Sequence, residues 1–491
     1  MQGRSLVLIT VDCLRADHVG FEGYKGGTTP FLDSLAAESS VFANAIVSGA
    51  PTYYSFPGIM ASRPPLAFGR DLIGVMPGEP TLAVILKEAG FKTAAFLAGN
   101  PYLSPRFGYH EGFDTFRDSL DAEIASGPVQ PPQNGMRTRL NQTLEKVCRQ
   151  FGPLGNAYDE LYFQYCQRIA AAAGSLDSLR RYPAADALVE QAMAWIQSVE
   201  DSPFFLWLHL MDPHSPYYPK ASALEQMGQS VTPERARYVN ASWMREELSD
   251  RRLAKYRNEI VALYDAGVRW VDAQVERLVN QLRGQGKWQE CVFALTADHG
   301  EELLDHGGRY HSPSKVTEEL IRVPLLVHSP EGRGRRVHSV FSLLDLAPTL
   351  LDSLAEPMAE AFHGSSRWNA ICEDRDWEAS AIVECVANCS NPFHSEGRIG
   401  GRILAMRGRR FKVVLDLANS REQFFDLDSD PGENNPLPAA AYSDVRRHFL
   451  ERAREHLARS AEGTRRLDGR LSGRLRELRQ FLSETSEKIS A

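Results

Sequence analysis

Three places in the chain set acidic and imidazole side chains directly behind apolar runs. Asp12 follows the run 6–11 and opens Asp12-Cys13-Leu14-Arg15-Ala16-Asp17-His18. Asp298-His299-Gly300-Glu301 comes just after the run 291–296, and His209-Leu210-Met211-Asp212-Pro213-His214 closes the run that begins at Phe204. Hard oxygen donors with an imidazole suit Zn²⁺ or Mn²⁺ better than a soft-metal site would. Neighbouring Asp298 and His299 can face one ion only if the backbone leaves the strand there, which Gly300 would permit. Each cluster taken singly also has a structural reading: Asp12 as a helix N-cap, Asp-His-Gly as a turn, His214 as a loop histidine. Their joint order along the chain is what points to a metal centre.

Such clusters need strands to deliver them. The runs 6–11, 92–97, 204–209, 291–296 and 323–327 are short and apolar, as expected of strands buried on both faces of a parallel sheet. Helical patterns fall between them at 81–89, 184–199 and 252–282, the last with Ile260, Leu263, Tyr264, Val268 and Val271 at helical spacing. This alternation predicts an α/β fold, a doubly wound and mostly parallel sheet flanked by helices. Ligands of such sheets collect at the carboxyl ends of the strands, where Asp12 would sit. The expected organisation is a catalytic domain over 1–375 with a helical insertion at about 119–180 (helical at 140–151 and 159–173). A smaller α+β subdomain follows over 376–491, with strand-like runs at 380–385, 402–406, 411–415 and 423–427. A charged helix begins near Tyr442, and a solvated helical tail spans 465–491.

In this order the segments resemble the sulfatase-type branch of the alkaline phosphatase superfamily. Ile9-Thr10-Val11-Asp12 resembles that family's first metal-ligand strand, and Thr29-Pro30-Phe31-Leu32-Asp33-Ser34-Leu35-Ala36 the helix after it. Asn100-Pro101-Tyr102, Gly112-Phe113-Asp114, Asp212-Pro213-His214, Ala297-Asp298-His299-Gly300, Arg322-Val323-Pro324-Leu325 and Leu344-Asp345-Leu346-Ala347-Pro348 are similar to further landmarks. Phe425-Asp426-Leu427-Asp428 resembles the C-terminal signature, so the likeness spans nearly the whole chain. It implies an alkaline-phosphatase-like fold and a metal-dependent hydrolase of phosphoric or sulfuric esters. Its implied metal ligands are Asp12, Thr52, Asp298 and His299. His214 is implied as the active-site histidine, Asn100 as a polar group on the transferred group, and His311 as a substrate contact. His306 and Lys315 are weaker neighbours, and Arg15 and Asp17 are read as structural.

Two positions depart from the sulfatase pattern. Thr52 stands where sulfatases carry the cysteine of Cys-x-Pro-x-Arg that becomes formylglycine, and Tyr54 and Phe56 replace the proline and arginine. A formylglycine hydrate can expel sulfate by eliminating to the aldehyde, whereas a sulfo-threonine would be a stable alkyl sulfate. A phospho-threonine can be hydrolysed by a second in-line attack. Threonine therefore favours phosphate or phosphonate esters, mono- or diesters. The competing readings are a sulfatase working without formylglycine, a soluble phospho-group transferase and a non-catalytic relative. Cys13 replaces an aspartate that bridges calcium in many sulfatases and reads as a small buried spacer. That favours Mn²⁺ or Zn²⁺ over Ca²⁺ or Mg²⁺. Asp212, His214 and His311 are the candidates for a second ion.

Composition excludes other classes. The 491 residues carry a net charge of −8 and no Lys/Arg run, so a small-molecule ester, not nucleic acid, is the expected partner. Seven scattered cysteines do not make a disulfide framework. No apolar stretch is long enough for a membrane helix and no signal peptide pattern appears, so no membrane partner and a cytoplasmic location are expected.

Overall fold

The computed structural model describes residues 4–69, 72–120, 160, 161, 163–165, 167, 174–332, 334–387, 400–438 and 440–464. The apolar runs form β1 (Ser5–Val11), β2 (Ser40–Ile46), β3 (Lys92–Leu97), β4 (Thr115–Arg117), β5 (Phe204–Leu210) and β6 (Cys291–Ala297). A small hairpin of β7 (Glu302–Leu303) and β8 (Arg309–Tyr310) precedes β9 (Arg322–Val323), β10 (Leu325–His328) and β11 (Arg335–Ser342). Among the described residues nine strands make one sheet in the order β11-β2-β10-β6-β1-β5-β3-β4, with β9 on β2. Pairings of β9 and β10 are antiparallel and all others parallel, so the sheet is mostly parallel, and helices flank it.

β1 is buried along its whole length between β5 and β6, with Val11 level with Leu210 and Ala297. Leu97 of β3 is in turn level with His209. This shared register brings the residues after β1, β3, β5 and β6 out at one carboxyl edge. Ten-residue helix Thr52–Ala61 follows β2 and is buried on every side, as its apolar composition requires.

Two expected elements are divided. The run 323–327 is two short strands, because Pro324 cannot donate to a ladder. The signal over 252–282 becomes a short helix, Asp250–Leu253, and a long one, Arg257–Gly284, which alone contains the helically spaced apolar residues. The helical segments expected within 119–180 lie largely outside the described residues, and the tail 465–491 wholly so. Among the described residues no helix is long and apolar enough to cross a membrane.

Beyond the main sheet, β12 (Ala381–Val386), β13 (Arg402–Arg407), β14 (Phe411–Asp416) and β15 (Arg421–Asp426) form an antiparallel meander. Side chains on β13 alternate between two cores. Ile403 and Ala405 join the main core, while Leu404 and Met406 pack with Phe449 and Ala453 of the helix at 443–464. A buried ion network fastens this sheet to the part that carries the main sheet. Lys412 Nζ lies 2.7 Å from Glu433 and 3.3 Å from Glu318, and Arg407 meets Glu318 at 3.0 Å. Against the cost of burial, Arg407 and Lys412 hold the Glu318 carboxyl down at about 2. Lys412→Met leaves Glu433 without its cation and is expected to cost about 3–5 kcal/mol in denaturant unfolding. A loss below about 1 kcal/mol, the range of a solvent-screened pair, would show that the network does not fasten the sheet.

Candidate active site

Asp12 leaves β1 with its amide still on the ladder, donating to the Leu210 carbonyl at 2.8 Å. The next residue, Cys13, has φ 63°, a left-handed conformation that costs a non-glycine residue about 1–3 kcal/mol. Successive strand side chains point to opposite faces. The turn at Cys13 breaks that alternation and brings its Sγ within 3.1 Å of Asp12 Oδ1 and 3.4 Å of His311 Nδ1. Tyr264 fixes this turn by donating to the Cys13 carbonyl and accepting from the Arg15 amide. Arg15 braces it through Asp17, Asp305 and the Glu301 carbonyl, the structural role expected of Arg15 and Asp17.

Asp298 and His299 follow β6. Gly300 does take the chain off the strand, but not through a positive φ. A Cβ there would lie 1.9 Å from the Glu319 carbonyl oxygen, so close backbone approach is what requires glycine. His299 Nδ1 lies 2.8 Å from the Gly300 carbonyl, which assigns the proton to Nδ1 and leaves Nε2 as a lone pair. That Nε2 is 3.6 Å from Asp12 Oδ1, 3.5 Å from Asp298 Oδ2 and 3.2 Å from Thr52 Oγ1. Thr52 is the first residue of its buried helix. Asn100, after β3, donates to Asp12 Oδ2 at 2.9 Å and lies 3.5 Å from Thr52 Oγ1, while its own Oδ1 caps the Tyr102 amide. The fold thus gathers Asp12, Thr52, Asn100, Asp298 and His299 from four separate segments.

Burial and mutual charge set the protonation pattern. Despite burial, His214, His209 and His299 hold Asp12 well below the usual carboxylate range. Burial and the Asp12 charge push Asp298 up to about 7. Burial and His311 push His299 down to about 4. His311 goes the other way, up to about 9, because Glu301 at 3.3 Å outweighs its burial. The rings of His299 and His214 lie 4.6 and 5.1 Å from that of His311.

These residues fit a divalent cation. Asp12, Asp298 and His299 each offer a donor atom within 4.8 Å of the others. Asp298 Oδ2 is buried with no hydrogen-bond partner, a cost that a cation would remove. The other candidates fall elsewhere. Asp212, expected near a second ion, is taken by Arg180 at 2.6 Å and caps helix Ala185–Ser198 through the Ala185 amide. His306 pairs with Glu319 and Lys315 with Glu302, so neither joins the cluster. Glu302, His306 and Glu319 also approach one another, but Lys315 and two backbone amides already saturate Glu302.

Three contributors had no role in the sequence reading. His209 bridges Thr10 Oγ1, at 2.9 Å, and Asp12 Oδ2, at 3.3 Å; its signal is a histidine inside an otherwise apolar strand. Glu301 supports His311 from the Asp-His-Gly-Glu turn. Tyr182 donates to the His214 carbonyl, with Arg180 over its ring, and carries no local sequence signal.

Known proteins share the family and the fold of this chain. The family profile "Sulfatase" matches residues 4–355. An arylsulfatase of Clostridium perfringens is 23% identical over 501 residues, covering 94% of each chain. The multifunctional alkaline phosphatase superfamily protein PehA of Trinickia caryophylli is 22% identical, covering 92% of this chain and 95% of its own. The crystal structure of the phosphonate monoester hydrolase of Agrobacterium radiobacter superposes with TM-score 0.66 at 18% identity, covering 94% and 96%. The chain belongs to the sulfatase family, metal-dependent hydrolases of sulfate or phosphate esters.

Proposed function

We propose that this protein hydrolyses phosphate or phosphonate esters in two steps through a covalent Thr52 intermediate. The observation that carries this reading is the Thr52 hydroxyl, an unmodifiable nucleophile, 3.2 Å from His299 Nε2 inside the Asp12–Asp298–His299 cluster. Thr52 Oγ1 gives up its proton to solvent and attacks phosphorus, and the bond from phosphorus to the leaving alcohol oxygen breaks. Its place at the first turn of a buried helix adds the positive end of the helix dipole to the transferred group. Asn100 Nδ2, between Asp12 and Thr52, offers a hydrogen bond to an equatorial oxygen. A divalent cation held by Asp12, Asp298, His299 and Thr52, Mn²⁺ or Zn²⁺ by this donor set, would lower the hydroxyl pKa and offset charge on the transferred oxygens. His311, kept protonated by Glu301, donates a proton to the leaving alcohol. Water then releases the phosphoryl group from Thr52.

The arylsulfatase relative favours a second reading, sulfate ester hydrolysis without formylglycine. A panel of aryl phosphate, bis-aryl phosphate, aryl phosphonate and aryl sulfate separates the two, with a phosphorus ester expected to turn over fastest. Aryl sulfate leading the panel would give the second reading precedence. Thr52→Ala should lose about 10⁴-fold or more in rate, on the scale of deleting a nucleophile; an undiminished rate rejects Thr52 in that role. Chelation, or Asp298→Asn, should remove both bound ion and activity. The His311 imidazolium is full below its raised pKa and lost as pH rises through it, so the rate should fall on the alkaline side. Glu301→Gln removes the charge that raises His311 and should move that alkaline limb to lower pH. A limb that stays in place would assign it to another group.

A further inference from the structure

We propose a second cation position in this centre, formed by Asp12, Cys13 and His214, in which the Cys13 thiolate selects a thiophilic ion such as Zn²⁺. The inference rests on Asp12, Asp298 and His299 holding the first ion and goes beyond it. The three new donors each offer an atom within 4.8 Å of the others, and Asp12 is common to both groups. Nitrogen, oxygen and sulfur together are a zinc-type donor set, whereas calcium and magnesium take oxygen alone.

Geometry beyond proximity supports the assignment. His214 Nδ1 lies 2.5 Å from the Ser215 carbonyl, as His299 Nδ1 lies 2.8 Å from that of Gly300. Both histidines are therefore oriented by the carbonyl of the following residue and present Nε2, the arrangement usual for metal-bound imidazole. Tyr182 pins the His214 carbonyl on the same loop. The left-handed backbone at Cys13 is what turns its sulfur into the cluster, where an extended residue would face away. A further buried carboxylate stands here, since Glu301 is fully buried and its Oε2 has no hydrogen-bond partner. Coordination replaces the S–H bond of Cys13 by a sulfur–metal bond and releases one proton to solvent for each ion bound. The position read from sequence as having lost a hard ligand has thereby gained a soft one, and Asp212, held by Arg180, leaves the second position to Cys13.

Co²⁺ is the probe, since its thiolate complexes absorb by sulfur-to-metal charge transfer in the near ultraviolet. Titrated into the metal-stripped full chain, it should bind with two ions per chain, the thiolate band growing with one of them. Cys13→Ser should abolish the band and weaken Zn²⁺ at that position by about 100-fold or more, given that losing even an outer partner costs about 10–100-fold. His214→Gln should weaken the same ion while Cys13 remains, which covers a Cys13→Ser chain that fails to fold. Asp298→Asn should remove the other ion and spare the band. Co²⁺ bound without a thiolate band, or a band that survives Cys13→Ser, overturns the second position alone. A wild-type chain that binds no ion at all overturns the metal reading on which both proposals stand.

Discussion

The structure depends on how three carboxylates, Asp12, Asp298 and Glu301, remain fully buried at one edge of a sheet. No Arg or Lys side chain touches their carboxylate oxygens among the described residues. Taking an ion out of water costs several kcal/mol unless it is paired and hydrogen-bonded. The protein's own response is partial. Asn100 and His209 hydrogen-bond Asp12, His311 takes up a proton beside Glu301, and Asp298 shifts toward its neutral form. The charge left over is what a divalent cation is suited to balance, and burial together with that same charge pushes the thiol of Cys13 well above its ordinary range.

That concentration of charge is tolerable only on a rigid support. β1 is the centre of the support because it is buried on both faces and held in register by β5 and β6 at once. A slip of one residue would turn Asp12 away from the cluster, and the apolar faces on both sides forbid it. Thr52 is fixed differently, by a helix with no exposed residue, so its hydroxyl has little freedom to lose during reaction. Among the described residues, the antiparallel meander contributes none to the centre. It closes the far side of the core through alternate side chains of β13 and is tied on by the Lys412 network.

Much of this is legible in the chain, for definite reasons. Buried parallel strands read as apolar runs, so 6–11, 92–97, 204–209 and 291–296 fall almost where the strands are, and an acid directly after such a run lies at the ligand edge. Thr52 is different: a threonine before two tyrosines carries no signal of its own and stands out only beside the family pattern. Cys13 is buried as a spacer would be, and the direction of its sulfur depends on one backbone angle that spacing does not encode. Gly300 lies at the expected departure from the strand, while the tertiary contact with the Glu319 carbonyl that requires glycine there is not written in the sequence. Asp212 lies in the right loop, but Arg180, distant in sequence, claims its carboxylate.

On the proposed reading, the nucleophile and the proton donor are kept apart by the same electrostatics. Thr52 Oγ1 sits beside the Asp12–Asp298 pair and a neutral His299, surroundings in which a bare alkoxide would be repelled. The hydroxyl can therefore become nucleophilic only when a cation shares those carboxylates, and nucleophile activation and ion binding become one event. On the other side, Glu301 lifts His311 while burial depresses His214 and His299, so one imidazole of three carries the mobile proton. Groups whose environments drive their pKa values apart are how a site runs base and acid chemistry at one pH. Here the separation is built by neighbouring residues of a single turn, since Asp298 and His299 serve the nucleophile and Glu301 the proton donor.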